Sequence, residues 1–116
     1  MTSTFKYTTA AKVKERIKNY NTDATDSQID TFISHSEGLI NVTTKNTWVT
    51  SIPELIESIA TDLAAIYLLV NDPSGFTSSA EAAFMADVLW ATAKRNLKLA
   101  NDPTVIRYMK GDSDNA

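Results

Sequence analysis

The residues of this chain that could take part in catalysis or metal binding are few and widely spaced. His35 is the single histidine, and the chain contains no cysteine. A catalytic triad or a zinc site needs several such groups in defined relative positions. We therefore interpret His35, which lies between two serines on an amphipathic segment, as a residue at the surface or boundary of a helix.

The acidic residues near the start of the second predicted helix have the spacing of a possible calcium loop. Asp23, Asp26 and Asp30 lie within one short stretch. An EF-hand loop also requires a central glycine and a terminal bidentate glutamate, and the sequence has neither in place. The pattern instead predicts the beginning of a capped helix, and we expect no metal and no cofactor.

A second acidic group lies at the beginning of the third predicted helix. Glu54, Glu57 and Asp62 are separated by three and five residues, so they do not share one helix face. Paired catalytic carboxylates would have to face each other. We expect a solvated strip that also favours the helix N-terminus, and the sequence predicts no enzyme.

Three cations end the fourth predicted helix. Lys94, Arg95 and Lys98 occupy its last turns, where positive charge complements the helix dipole. The same three side chains could bind phosphate or an acidic partner, so two interpretations remain open. The net charge of −3 gives no basic footprint for nucleic acid.

Large apolar residues outside the regular helical pattern are candidate contacts for other subunits. Trp48 lies between helices, where a large aromatic ring either anchors the loop or meets a partner. The C-terminal segment either folds back onto the bundle or reaches a neighbouring molecule. Its candidate contact residues are Val105, Ile106, Arg107, Tyr108 and Met109.

The composition is that of one globular domain with long elements. The chain has 116 residues, 43% of them hydrophobic, with only 3 Gly and 3 Pro. Its longest uncharged apolar run, 63–70, is far shorter than a membrane span, and the N-terminal stretch has no signal-peptide core. We expect a soluble protein.

Helical periodicity and capping signals predict four helices. The clearest is Ser51–Val70, in which Ser51 and Glu54 form a capping box and Pro53 lies in the first turn. Its apolar second half predicts a helix enclosed by the others. The other three predicted helices are Thr9–Lys18, Asp26–Val42 and Ser78–Ala100.

Several finer expectations follow from the pattern. Ala10, Val13 and Ile17 form one apolar face of the first helix. Gly38 in the second helix indicates close approach by a neighbour. The stretch 42–52 is rich in β-branched residues and predicts a short extended piece or hairpin arm. In the fourth helix, the bulk of the core is expected from Phe84, Val88, Leu89 and Trp90.

The predicted fold is therefore all-α, a small antiparallel bundle of about four helices with an extended C-terminal arm. The stop signal Asn101-Asp102-Pro103 divides the chain into a helical domain, 1–103, and the arm, 104–116.

The order of these features resembles the head–tail connector, or adaptor, proteins of tailed phages. Tyr7 precedes a short helix with the sequence AKVKERI, and TDSQID begins the second helix at 25–30. Trp48 is followed by Ile52-Pro53 and by a third helix that carries Ala60, Leu63, Ala64 and Tyr67. The resemblance covers residues 7 to about 70. Ser36 and Asn41 replace the alanine and aspartate that are usual in the second helix.

The resemblance implies a structural protein of the virion. Such proteins form a dodecameric ring that docks on the portal protein and joins it to a stopper or tail-completion protein. The arm and the interhelical loops make these contacts, and DNA passes through the ring without sequence-specific binding. The protein would lie at the head–tail interface, and in the host cytoplasm during assembly. The alternative is a small α-helical binding or regulatory module that forms a homo-oligomer.

Overall fold

We describe the fold from a computed structural model of the chain. The residues that it describes lie in four stretches, 7–17, 26–48, 52–71 and 79–109. The predicted cap at Ser51 and Ser78, the predicted first residue of the fourth helix, fall outside these stretches.

The described residues are all-helical, which confirms the predicted fold class. They contain five α-helices where the sequence predicted four. In chain order these are α1 (Ala10–Arg16), α2 (Asp26–Thr44), α3 (Glu54–Asn71), α4 (Ser79–Ala100) and α5 (Pro103–Met109).

Helix α3 is the centre of the bundle, as its sequence predicts. It packs against α1, α2 and α4, and its contacts with the two long helices are the most extensive. Ile56, Ile59, Ala60 and Leu68 are fully buried along it. Its apolar run is not enclosed on every side, because Ile66 and Tyr67 are half-buried and Val70 is 68% exposed.

Helix α1 packs on the other helices through the predicted face. Ala10, Val13 and Ile17 are buried, and they join side chains of α2, α3 and α4 in one apolar cluster. The Thr9 hydroxyl caps the helix by accepting a hydrogen bond from the Lys12 amide at 3.3 Å. A helix of 7 residues is too short to persist alone, so its position depends on contacts with the bundle.

Helix α2 continues to Thr44, beyond the predicted end at Val42. The buried Thr44 hydroxyl donates a hydrogen bond to the Ile40 carbonyl at 2.8 Å, and Lys45 ends the helix with a φ of 57°. Residues 43 and 44, which belong to the stretch predicted to be extended, are therefore helical. The expected close neighbour of Gly38 is also absent from the described residues, since a Cβ built there meets no atom within 4 Å.

Helix α4 packs on α3 with a face different from the one predicted. Leu89, as expected, is buried, and so are Ala93, Leu97 and Ala100. The predictions that Phe84, Val88 and Trp90 supply core bulk are wrong, because all three are exposed. Phe84 and Val88 lie on the side opposite the buried set, whereas Trp90 lies at its edge, seven residues before Leu97.

The predicted extended arm begins as a helix, α5. Asp102 caps it, since its Oδ1 accepts hydrogen bonds from the Thr104 amide at 2.8 Å and the Val105 amide at 3.4 Å. Pro103 takes the first helical position, where its missing N–H costs nothing. The residues that end α4 therefore also begin α5.

Replacing Asp102 with alanine is expected to cost about 1 kcal/mol of α5 stability, because two amides lose their acceptor. Amide hydrogen exchange at Ile106 and Arg107 would report the loss. Asp102→Asn keeps a capping oxygen and should retain most of the protection. An equal loss in both variants would mean that the cap does not determine α5.

Candidate functional site

Several large apolar side chains are exposed on the side of α4 that points away from the core. Phe84 is 69% exposed, and Val88 and Leu99 are about half exposed. Together with Ala91 and Arg95 they follow one another at helical spacing, opposite the buried set. We call these five residues the α4 outer face.

Charged residues accompany this face with opposite signs at its two ends. Asp87 lies beside Phe84 and Val88 in the first half, and Lys94 and Lys98 lie beside Arg95 and Leu99 in the second. Each of the four charged side chains is exposed. The three cations predicted from the sequence therefore share a surface with apolar residues, and Lys98 among them lies in the last turn of α4, where it complements the helix dipole.

A second exposed apolar patch lies on α2. Val42 is 76% exposed and Leu39 is partly exposed, on the side of α2 that faces away from its buried residues. Gly38 adjoins them and is itself exposed. We call Gly38, Leu39 and Val42 the α2 patch. It is distinct from the α4 outer face and carries no charge of its own.

The C-terminal candidates fall on two sides of α5. Val105, Ile106 and Met109 are half-buried, and Met109 packs against the apolar cluster that contains Trp48. Arg107 and Tyr108 are exposed. The segment thus folds back onto the bundle with one side and presents the other to solvent.

An open cleft of about 590 Å³ separates α5 from the end of α2. Backbone and side chains of both polar and apolar character line it, including Lys45, Asn46, Ile106 and Arg107.

Trp48 is buried in this fold, so the structure shows the anchoring role rather than a surface for partners. Its side chain is 2% exposed, and its ring meets the Tyr7 ring edge-on, with centroids 6.3 Å apart. The Trp48 amide donates a hydrogen bond to the Tyr7 hydroxyl at 3.1 Å. The loop after α2 is thereby fixed to the segment before α1.

Tyr7 connects that segment to α2 as well. Its hydroxyl donates to Asn41 Oδ1 at 2.5 Å, and its amide donates to Glu37 Oε2 at 2.6 Å. Next to it, the Thr8 and Thr61 hydroxyls are hydrogen-bonded at 2.7 Å in the buried contact with α3. These bonds hold the start of α1 on both neighbouring helices.

The prediction that Glu54, Glu57 and Asp62 form a solvated strip is wrong for Asp62. Glu54 is exposed and Glu57 is bonded to Lys12 at 2.6 Å near the surface, but Asp62 is fully buried and ion-paired with Arg16. Burial raises the pKa of the Asp62 carboxyl above its ordinary value, while the charge and hydrogen bond of Arg16 oppose that rise. This pair holds the end of α1 on α3.

His35 occupies the exposed position that the sequence predicted, with its ring edge-on to Tyr67 at 6.0 Å. Among the described residues, no three His, Cys, Asp or Glu side chains are grouped so that they could hold a metal ion. Asp23 lies outside those residues. None of the described helices is long and apolar enough to cross a membrane.

The sequence does not predict the α4 outer face as one surface, because the bulk of Phe84 and Val88 is expected in the core while Arg95 is a candidate contact. A signal was present: apolar residues recur in α4 in two helical series, one through Leu89, Ala93 and Leu97 and another through Phe84 and Val88. A helix with two apolar series either is enclosed or has one series exposed.

Comparisons with family models, curated proteins and solved structures found no match to this chain.

Proposed function

We propose that this protein is a structural connector of a tailed virus. Its copies form a dodecameric ring that docks on the portal protein and joins it to a stopper or tail-completion protein. The observation that carries the proposal is the exposure of large apolar side chains on the two long helices packed on α3, in the α2 patch and the α4 outer face. Such surfaces mark sites of protein association.

Two different patches suit a ring. A ring contact joins unlike surfaces of neighbouring subunits, whereas a twofold contact uses one surface twice. Val42 and Leu39 on α2 offer one surface, and Phe84 and Val88 on α4 offer another. Burying both between neighbours would remove the most exposed apolar residues of these helices from water.

The order of sequence features supports the viral assignment. The AKVKERI helix, the TDSQID helix start and the Trp48 to Ile52-Pro53 junction resemble the connector proteins of tailed phages. In this role the protein works at the head–tail interface of the virion and assembles in the host cytoplasm. The exposed Arg107 and Tyr108 on α5 are candidate contacts with portal or tail proteins.

The proposal is tested by mass photometry and negative-stain electron microscopy of the full chain, alone and with the portal protein from the same genome. We expect rings, either free or bound to the portal. Val42→Ser should raise the protein concentration required for ring formation by at least about tenfold. The reason is that the exposed apolar side chain of Val42 would be buried between subunits.

Ser34→Ala, at another exposed position of α2, is the matched control and should assemble normally. A folded protein that forms no ring and does not bind the portal at any concentration would overturn the proposal. Normal ring formation by Val42→Ser together with Phe84→Ser would overturn the assignment of the ring contact to the α2 patch and the α4 outer face.

A further inference from the structure

Charge is segregated along the α4 outer face. Among the side chains that the structure describes, Asp87 is the exposed charge in the half that carries Phe84 and Val88, whereas the half that carries Leu99 has Lys94, Arg95 and Lys98. An apolar stripe with opposite charge at its two ends is complementary to itself when it is turned end for end.

We propose that two copies of this chain pair through α4, with the helices antiparallel about a twofold axis between Ala91 and Thr92. Phe84 and Leu99 lie equally far from this axis, so Phe84 of each copy meets Leu99 of the other. Val88 and Arg95 are likewise equidistant, and the Arg95 stem covers the Val88 side chain.

The charges match in the same register. Asp87 of one copy falls midway between the levels of Lys94 and Lys98 of the other, and all three residues lie on the same flank of the apolar stripe. The twofold axis repeats this arrangement, so each pair gains two such contacts. Parallel pairing in register would instead place the charged flanks of the two copies on opposite sides of the contact, so Asp87 would meet neither Lys94 nor Lys98 of the other copy.

This pair is a state of the free protein and does not depend on the connector function. It uses the α4 outer face twice, whereas a ring contact would use that face against a different one. If the protein also forms rings, the two arrangements compete for α4. Val42, on α2, takes no part in the pair, so Val42→Ser separates the two proposals.

The test is sedimentation velocity on charge-reversal variants of the full chain at low salt. Asp87→Lys makes the flank wholly positive, and Lys94→Glu with Lys98→Glu makes it wholly negative. We expect the unmodified protein to dimerise and each variant alone to dissociate at least about tenfold more readily. An equimolar mixture of the two variants should recover dimers, because the positive flank then faces the negative one.

Circular dichroism checks that each variant is folded, and Phe84→Ser gives a second variant that should weaken the dimer without a change of charge. Lys45→Glu with Arg107→Glu makes the same charge change away from α4 and should dimerise normally. A monomeric unmodified protein at hundreds of micromolar would overturn the proposal. So would unchanged dimers of Asp87→Lys, or a mixture that shows no recovery.

Discussion

Replacing Arg16 with alanine is expected to lower the free energy of unfolding by about 3 kcal/mol at neutral pH, because it leaves the buried Asp62 carboxylate without its counter-ion. The Asp62 side chain is 1% exposed, and its Oδ2 has no hydrogen-bond partner among the described residues. Protonating an ordinary aspartate at pH 7 costs about 4 kcal/mol, which bounds the loss. Denaturant unfolding followed by circular dichroism measures the change.

The matched control is Lys12→Ala, on the same helix. Lys12 pairs with Glu57 at 2.6 Å, but the two side chains are 49% and 35% exposed, so we expect a loss of at most about 1 kcal/mol. Comparable losses in the two variants would mean that burial of Asp62 is not what makes the Arg16 contact important.

The pH dependence of the free energy of unfolding shows whether the buried charge of Asp62 causes the loss in Arg16→Ala. Without Arg16, only burial acts on Asp62, and its pKa in the folded state rises further above the ordinary value of 3.8. The folded protein then holds a proton that the unfolded chain releases, so stability falls as pH rises above 3.8 towards the folded pKa. The deficit of Arg16→Ala should therefore be smallest near pH 4 and largest near pH 7.

A double variant that removes both charges is the control for this pH dependence. Arg16→Ala combined with Asp62→Asn carries no charge at either position, so its deficit should not grow with pH, and part of the lost stability should return at pH 7. A deficit of Arg16→Ala that is equal at pH 4 and pH 7 would instead assign the loss to the missing packing of the Arg16 stem.

The central helix was predictable because its signals are local. Pro53 and Glu54 mark its beginning, and the uncharged run from Leu63 onward indicates burial without reference to any partner. The same holds for α1, whose apolar residues recur on one face. Periodicity shows which residues share a face, and the most apolar face of a short helix is normally the buried one.

The polar contacts that fix α1 were not predictable in this way. Arg16 and Asp62 are 46 residues apart, and the Trp48 amide is 41 residues from the Tyr7 hydroxyl that it contacts. No local pattern distinguishes an acidic residue that will be buried from its solvated neighbours. Asp62 therefore looked like one more member of an exposed group with Glu54 and Glu57.

The errors in α4 and α5 have a different cause. In α4 the composition indicates apolar faces but not which of them meets α3, so Phe84 and Trp90 were placed in the core. At the end of α4, Asp102 and Pro103 serve both as a stop for one helix and as a cap and first residue for the next. The sequence therefore predicts the end of α4 but not the beginning of α5.

We expect substitutions of the two tryptophans to have different effects on stability and association. Trp48→Ala is expected to lower the free energy of unfolding by about 4 kcal/mol, because it empties a fully packed site and removes the edge-on contact with Tyr7. Trp90→Ala, at a residue that is 43% exposed, should cost about 1 kcal/mol or less. Denaturant unfolding of both variants measures the difference.

Fluorescence and assembly then separate the anchoring role of Trp48 from a contact role. In Trp90→Phe, the remaining Trp48 should emit at short wavelength and shift to the red on unfolding, since its ring is shielded from water. If Trp48 instead served mainly to bind a partner, Trp48→Ala would leave unfolding nearly unchanged and abolish assembly. The buried position between Tyr7 and the end of α2 leads us to expect that Trp48→Ala loses assembly only to the extent that it unfolds.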